Sequence, residues 1–208
     1  MYINTLHYLT ASPAQAGLAC MGGARWVQLR LKDASYATWK QLALAMQTVC
    51  RRHGATFILN DNPNLALEIG ADGVHLGQQD MPPAEARALL GPDVIIGGTA
   101  NTFAQMEQLV AAGVDYIGLG PLRFTTTKEK LSPILGLAGY AQVLAQYRAA
   151  GFTTPVIGIG GVGLADVAAL RATGLHGVAV AGAIGAAPDP TTAAAQFVEL
   201  LAELVPAV

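Results

Sequence analysis

A chain of 208 residues with 52% hydrophobic and only 12% charged side chains has to shield much of its length from water, as strands buried on both faces do. Its formal charge of −2, with no basic stripe, argues against a nucleic-acid partner. The mean hydropathy is +0.41, yet no uninterrupted apolar run approaches the roughly 18 residues of a membrane span.

The N-terminus, MYINTLHYLTASPAQ, lacks a basic stretch followed by an apolar core, so no secretory signal is expected and a cytoplasmic location is. From there, short β-rich runs alternate with longer helical patterns, the mark of repeated βα units. Strands are predicted over 5–9, 25–30, 55–60, 72–76, 93–97, 114–119, 154–159 and 176–181. Between them ATWKQLALAMQTVCRRH, FAQMEQLVAAG and LADVAALRATG carry apolar positions at helical spacing, the last two ending at a glycine. Eight strands in such a chain predict a closed (β/α)8 TIM barrel occupying residues 1–208 as one domain, near the lower length limit of about 200 for that fold.

The phrases GADGVHLG and GVDYIGLG resemble each other and suggest a repeated unit. Cys20 and Cys50 fall in helical segments outside any CxxC pair and are read as packing residues. Arg51 and Arg52 are read as a solvated helix end. The one long connection, from Gly120 to about Leu137, is a candidate lid.

In a parallel barrel the residues after each strand share one rim. Here those segments are VQLRLKD, LNDN, HLGQQD, GGTANT, GPLRFTTTKEK, GIGGVG and AGAIG. Three of the four lysines, Lys32, Lys128 and Lys130, fall in them with Arg30 and Arg123, so the rim is expected to be cationic and to receive anions such as pyrophosphate. Gln28, Arg30 and Lys32 alternate along a strand and can point one way, either at a ligand or as an inward polar layer.

Asp61 and Asp80 are one βα unit apart, which predicts two carboxylates on neighbouring strand ends, able to hold Mg²⁺ next to substrate phosphates. For either aspartate alone, an N-cap before the following helix is the competing reading. Asn60 could add an amide contact. GIGGVG and AGAIG offer backbone N–H groups where barrel phosphate sites are often built, or are tight turns that need glycine. Thr125, Thr127 and Lys128 supply donors on the candidate lid. His75 ends a buried strand and is read as a core histidine before a catalytic one, while His7, His53 and His176 show no partner in sequence.

Taken in order, VQLRLKD, LNDN, GADGVHLGQQDMP, IIGGTAN, DYIGLGPLRFTTTK and IGIGGV resemble the thiamine phosphate synthase family over about residues 25–185. That resemblance implies a (β/α)8 barrel transferase joining a hydroxymethylpyrimidine diphosphate to a thiazole phosphate, with release of pyrophosphate. By matching position, Gln28, Arg30, Lys32, Asn60 and Lys128 would bind the pyrimidine diphosphate, and Asp61 and Asp80 would hold Mg²⁺. Thr99, Thr125, Thr127 and Gly161 would contact the thiazole phosphate or the pyrimidine. Family members often carry serine where Thr99 stands, which keeps a hydroxyl, and serine where Gly182 stands, which here leaves backbone donors alone. Of these, Arg30, Lys32 and Lys128 are the expected catalytic residues.

Two rivals are a related thiazole tautomerase, which needs neither diphosphate site nor metal, and a non-catalytic sensor of thiamine precursors. Retention of Arg30, Lys32, Asp61, Asp80 and Lys128 favours the synthase. The implied partners are small phosphorylated molecules; a homo-oligomer is compatible with the sequence and not specified by it.

Overall fold

The computed structural model describes residues 2–124 and 133–203. The strands are β1 (Leu6–Thr10), β2 (Trp26–Leu29), β3 (Thr56–Asn60), β4 (Gly73–Leu76), β5 (Ile95–Ala100), β6 (Tyr116–Leu119), β7 (Val156–Ile159) and β8 (Gly177–Val180). The helices are α1 (Pro13–Met21), α2 (Tyr36–His53), α3 (Pro63–Ile69), α4 (Pro83–Leu90), α5 (Phe103–Ala111), α6 (Gly136–Ala149), α7 (Val167–Ala172), α8 (Gly182–Gly185) and α9 (Pro190–Glu203). A short 3₁₀ turn, Leu164–Asp166, leads into α7. Every neighbouring pair of strands is parallel, and β8 pairs back to β1 through Tyr8 opposite Val180, so the ladder closes into the expected (β/α)8 barrel.

Local chemistry explains where the elements begin and end. Ser12, Ser35, Asn62 and Thr102 each accept an N–H of the first turn of α1, α2, α3 and α5 with their side-chain oxygens. Helix α2 stops at Gly54, whose φ of 61° is left-handed, after Arg51, Arg52 and His53 have placed positive charge against the negative end of the helix dipole. Both arginines are exposed and both cysteines are buried, as their spacing suggested. The repeated phrases have a repeated structural job. Asp72, just before β4, accepts the N–H of Phe57 in β3 at 2.7 Å, and Asp115, just before β6, accepts that of Ile96 in β5 at 2.7 Å.

Two apolar layers result. The larger lies between the strands and the helices; the smaller fills the barrel with Ile3, Leu9, Trp26, Ile58, Ile95, Tyr116, Ile157 and Ala179. Two residues further along four consecutive strands, the inward positions become polar: Trp26 gives way to Gln28, Ile58 to Asn60, Gly73 to His75 and Gly97 to Thr99. Large rings fit this narrow interior because glycines face them. A Cβ on Gly97 would lie 2.2 Å from Cζ of Tyr116, and one on Gly118 would lie 3.1 Å from Cε1 of His75.

Overpacking of a filled interior costs about 1–3 kcal/mol. Gly97→Ala is therefore expected to lower the unfolding free energy by that amount, read as a lower urea midpoint, as the added methyl must displace the Tyr116 ring. An unchanged midpoint would show that the barrel interior is not filled as described.

Candidate active site

Gln28, next to last in β2, and Asn60, last in β3, point inward, and both are buried. The Gln28 amide Nε2 donates to Oδ1 of Asn60 at 2.5 Å, which bridges β2 and β3 and fixes the orientation of both amides. Strand β2 stops at Leu29, so the alternation expected to aim Gln28, Arg30 and Lys32 together holds only for the first of them. The Arg30 N–H continues the ladder once, to the Thr10 carbonyl at 3.2 Å, and Lys32 lies beyond, on the exposed surface after the strand.

Asp61 follows Asn60 directly. Its φ of 62° is left-handed, a conformation that a non-glycine residue adopts at some cost, and its N–H donates to the His75 carbonyl at 2.9 Å. Burial, a hydrogen bond with Asp80 and the neighbouring Asp80 charge push its carboxyl up to about 7, opposed by Asn60 and by the Arg30 guanidinium. The structure thus brings Arg30, Asn60, Asp61 and Asp80 together at the ends of β2, β3 and β4. Neither aspartate is an N-cap: α3 is capped by Asn62, and α4 starts from Pro82 without a side-chain cap. Asp80 instead accepts the Gly77 N–H at 2.6 Å.

The carboxylate pair fits a hard divalent cation. Two crowded carboxylates repel unless one is protonated or a cation lies between them, and Mg²⁺ favours one or two protein carboxylates with water and phosphate oxygens completing its shell. Among the described residues no third acidic, histidine or cysteine side chain joins the pair.

His75 is buried and bonded at both ring nitrogens, Nδ1 to the Tyr116 hydroxyl and Nε2 to the Thr99 hydroxyl, each at 2.9 Å. It thereby links the apolar floor to a rim hydroxyl. His7 stacks on Trp26 with ring centroids 4.2 Å apart and meets the Asn4 carbonyl, and His176 meets the Ile3 carbonyl, so both have backbone partners that the sequence did not reveal. Gly161 lies past β7 with a left-handed φ of 72°. Gly182 opens α8 and is exposed, with open space where a side chain would go. Thr125, Thr127, Lys128 and Lys130 lie outside the described residues, as does the middle of the connection read as a lid, 125–132.

Arg123 departs from expectation. It does not stand as a cation awaiting an anion, because its two terminal nitrogens grip both oxygens of Asp166 at 2.6 and 2.7 Å. Sequence reasoning also missed Tyr116 as the anchor of His75; the signal was Gly97, on the strand between them, and Gly118, on the strand of Tyr116 itself, which leave room for the two rings.

Fold and rim together define the class: a barrel enzyme of the parallel (β/α)8 type with its polar groups at the carboxyl ends of the strands. The family model for thiamine monophosphate synthase matches residues 5–184, and the chain belongs to the thiamine monophosphate synthase family, whose activity is that of a transferase. The thiamine-phosphate synthase of Phocaeicola vulgatus is 46% identical over 185 residues, covering 89% of each chain. That of Bacteroides fragilis strain ATCC 25285 is 50% identical over 175 residues, 84% of this chain and 86% of the relative. Among solved structures, thiamine phosphate pyrophosphorylase from Pyrococcus furiosus superposes with a TM-score of 0.85 at 26% identity, covering 97% of this chain and 96% of that one. A 3-hexulose-6-phosphate synthase, at 16% identity and a TM-score of 0.67, shares the fold alone. Among the described residues no helix is long and apolar enough to cross a membrane.

The Asp61 carboxyl gives a signed test. An aspartate raised from 3.8 to about 7 makes the folded protein hold a proton that the unfolded chain has released, so without divalent cations stability falls as pH rises between those values. Asp61→Asn removes this slope and, in EDTA at pH 8, is expected to be more stable than the parent by about 1–2 kcal/mol, allowing for residual solvent contact. A less stable variant under those conditions would mean that the two carboxylates do not crowd each other.

Proposed function

We propose that this protein condenses 4-amino-2-methyl-5-hydroxymethylpyrimidine diphosphate with 4-methyl-5-(2-phosphoethyl)thiazole, or its carboxylate, to thiamine phosphate and pyrophosphate. The observation that carries the reading is the gathering of Arg30, Asn60, Asp61 and Asp80 at one point of the rim, in a chain with few charges to spare. The bond broken is the C–O bond to the diphosphate, whose electron pair leaves with pyrophosphate. The ring nitrogen of the thiazole then supplies the pair for the new C–N bond to the pyrimidine methylene cation. No protein nucleophile takes part.

What the chain must do is stabilise charge that grows on the leaving group. Arg30 and Lys32, with Lys128, supply the cationic donors; Gln28 and Asn60, locked to each other, orient the pyrimidine diphosphate. Asp61 and Asp80 would hold Mg²⁺, which when bound supplies further positive charge at the diphosphate oxygens. Thr99, oriented through His75, with Thr125, Thr127 and the backbone at Gly161 and Gly182, would receive the second substrate. The same reading makes it a cytoplasmic enzyme of small phosphorylated molecules.

Purified protein with Mg²⁺ and both substrates is expected to form thiamine phosphate and pyrophosphate in equal amounts, and to stop in EDTA. Asp61→Ala and Lys128→Ala should each lower kcat by about 10²–10³-fold, the loss typical of one transition-state contact. Their thermal melts should show no loss of the folded state. Isomerisation of the thiazole phosphate without condensation would reassign the protein as a tautomerase, and binding of precursors without turnover would make it a sensor.

A further inference from the structure

The loops after β6 and β7 are fastened to each other more firmly than two parallel strands require. Beyond the strands the backbone ladder continues, with Leu122 N–H to the Ile159 carbonyl at 3.0 Å and Arg123 N–H to the Gly160 carbonyl at 3.1 Å. Beneath them the Tyr140 hydroxyl sits 3.1 Å from both the carbonyl and the N–H of Ile159. Above them is the Arg123 guanidinium. One terminal nitrogen donates to Oδ2 of Asp166 at 2.6 Å and to the Gly161 carbonyl at 2.8 Å, and the other donates to Oδ1 of Asp166 at 2.7 Å. Oδ2 of Asp166 also accepts the Gly163 N–H at 2.8 Å. The Arg123 guanidinium holds the Asp166 carboxyl below the usual carboxylate range, with the Gly163 N–H contributing.

An exposed ion pair contributes little as a rule, but a fork-to-fork arginine–carboxylate pair is the geometry that carries directional information. Here that information is delivered to a turn with little rigidity of its own. Gly160 and Gly161 both have left-handed φ values, 97° and 72°, and a Cβ on Gly160 would lie 2.5 Å from Cβ of Pro121. Since the C=O and N–H of one trans peptide point in opposite directions, turning the Gly161 carbonyl towards Arg123 turns the Val162 N–H away from it. Gly163, with its N–H committed to Asp166, is removed from the set of donors open to a ligand.

We propose that Arg123 and Asp166 are positioning residues that set the peptide orientation of the glycine turn after β7, and through it the affinity for the monophosphate of the second substrate. The inference rests on the reading of that turn as a phosphate cradle given under Proposed function. Neither residue touches the reacting atoms in this assignment; they act through Gly161 and Gly163.

Steady-state kinetics of Arg123→Ala, Arg123→Lys, Asp166→Asn and the Arg123→Ala/Asp166→Asn double variant tests this. Loss of an aligned donor corresponds to about a tenfold rise in KM for the thiazole phosphate, with KM for the pyrimidine diphosphate and kcat changing much less. Arg123→Lys should fall between parent and alanine because an ammonium cannot grip both oxygens. The double variant should be no worse than Arg123→Ala, since the two residues form one device. Folded variants with an unchanged KM for the thiazole phosphate, equal shifts in both KM values, or additive losses would each overturn the proposal. Calorimetric titration of parent and Arg123→Ala with inorganic phosphate separates this claim from the larger one. Weaker phosphate binding by the variant supports the clasp even if the parent makes no thiamine phosphate, and equal binding counts against the clasp even if it does.

Discussion

A parallel ladder that returns from β8 to β1 leaves the chain one place to collect polar side chains in number, the carboxyl ends of its strands. Below that level the interior is closed by Trp26, Ile58, Ile95, Tyr116 and Ile157, and a charge there would have no water and no partner. One pleat period higher, Gln28, Asn60, His75 and Thr99 face inward instead and satisfy one another pairwise across strands. The rim therefore rests on a rigid floor, and side chains far apart in sequence are held in a fixed relation.

Charge is distributed with the same economy. The exposed Lys40 meets Glu68, Arg87 meets Asp115 at 2.7 Å on the helical side of the barrel, and Arg123 is spent on Asp166. What differs at the ends of β2, β3 and β4 is that two carboxylates crowd each other, and one of them, Asp61, stands on a left-handed backbone with a guanidinium near enough to influence its titration. Stability alone does not favour such an arrangement. On the proposed reading, a cation and a phosphorylated ligand complete it.

The barrel was legible because its signals are local: each of the eight strands lies within three residues of its predicted run, since buried parallel strands are short apolar runs between turn residues. The pairing of Asp61 with Asp80 was legible from the length of one βα unit combined with that topology. What the sequence hid depends on contacts between distant segments. The alternation of Gln28, Arg30 and Lys32 assumed a longer strand than β2 provides. Arg123 looked like a free donor because Asp166 stands in another loop, and the partners that satisfy the core residue His75, Thr99 and Tyr116, stand one and two strands away. Two glycines that admit those rings left a trace in the sequence, but one that has meaning only once the register is known.

The central claim is that residues from 28 to 182 surround one pocket in which a departing diphosphate is neutralised. A crystal structure with Mg²⁺ and inorganic pyrophosphate tests it most directly. The account predicts the cation between Asp61 and Asp80 and the pyrophosphate within hydrogen-bond reach of Arg30 and Asn60. Pyrophosphate bound elsewhere, or at the rim with both aspartates turned away from the metal, would contradict it.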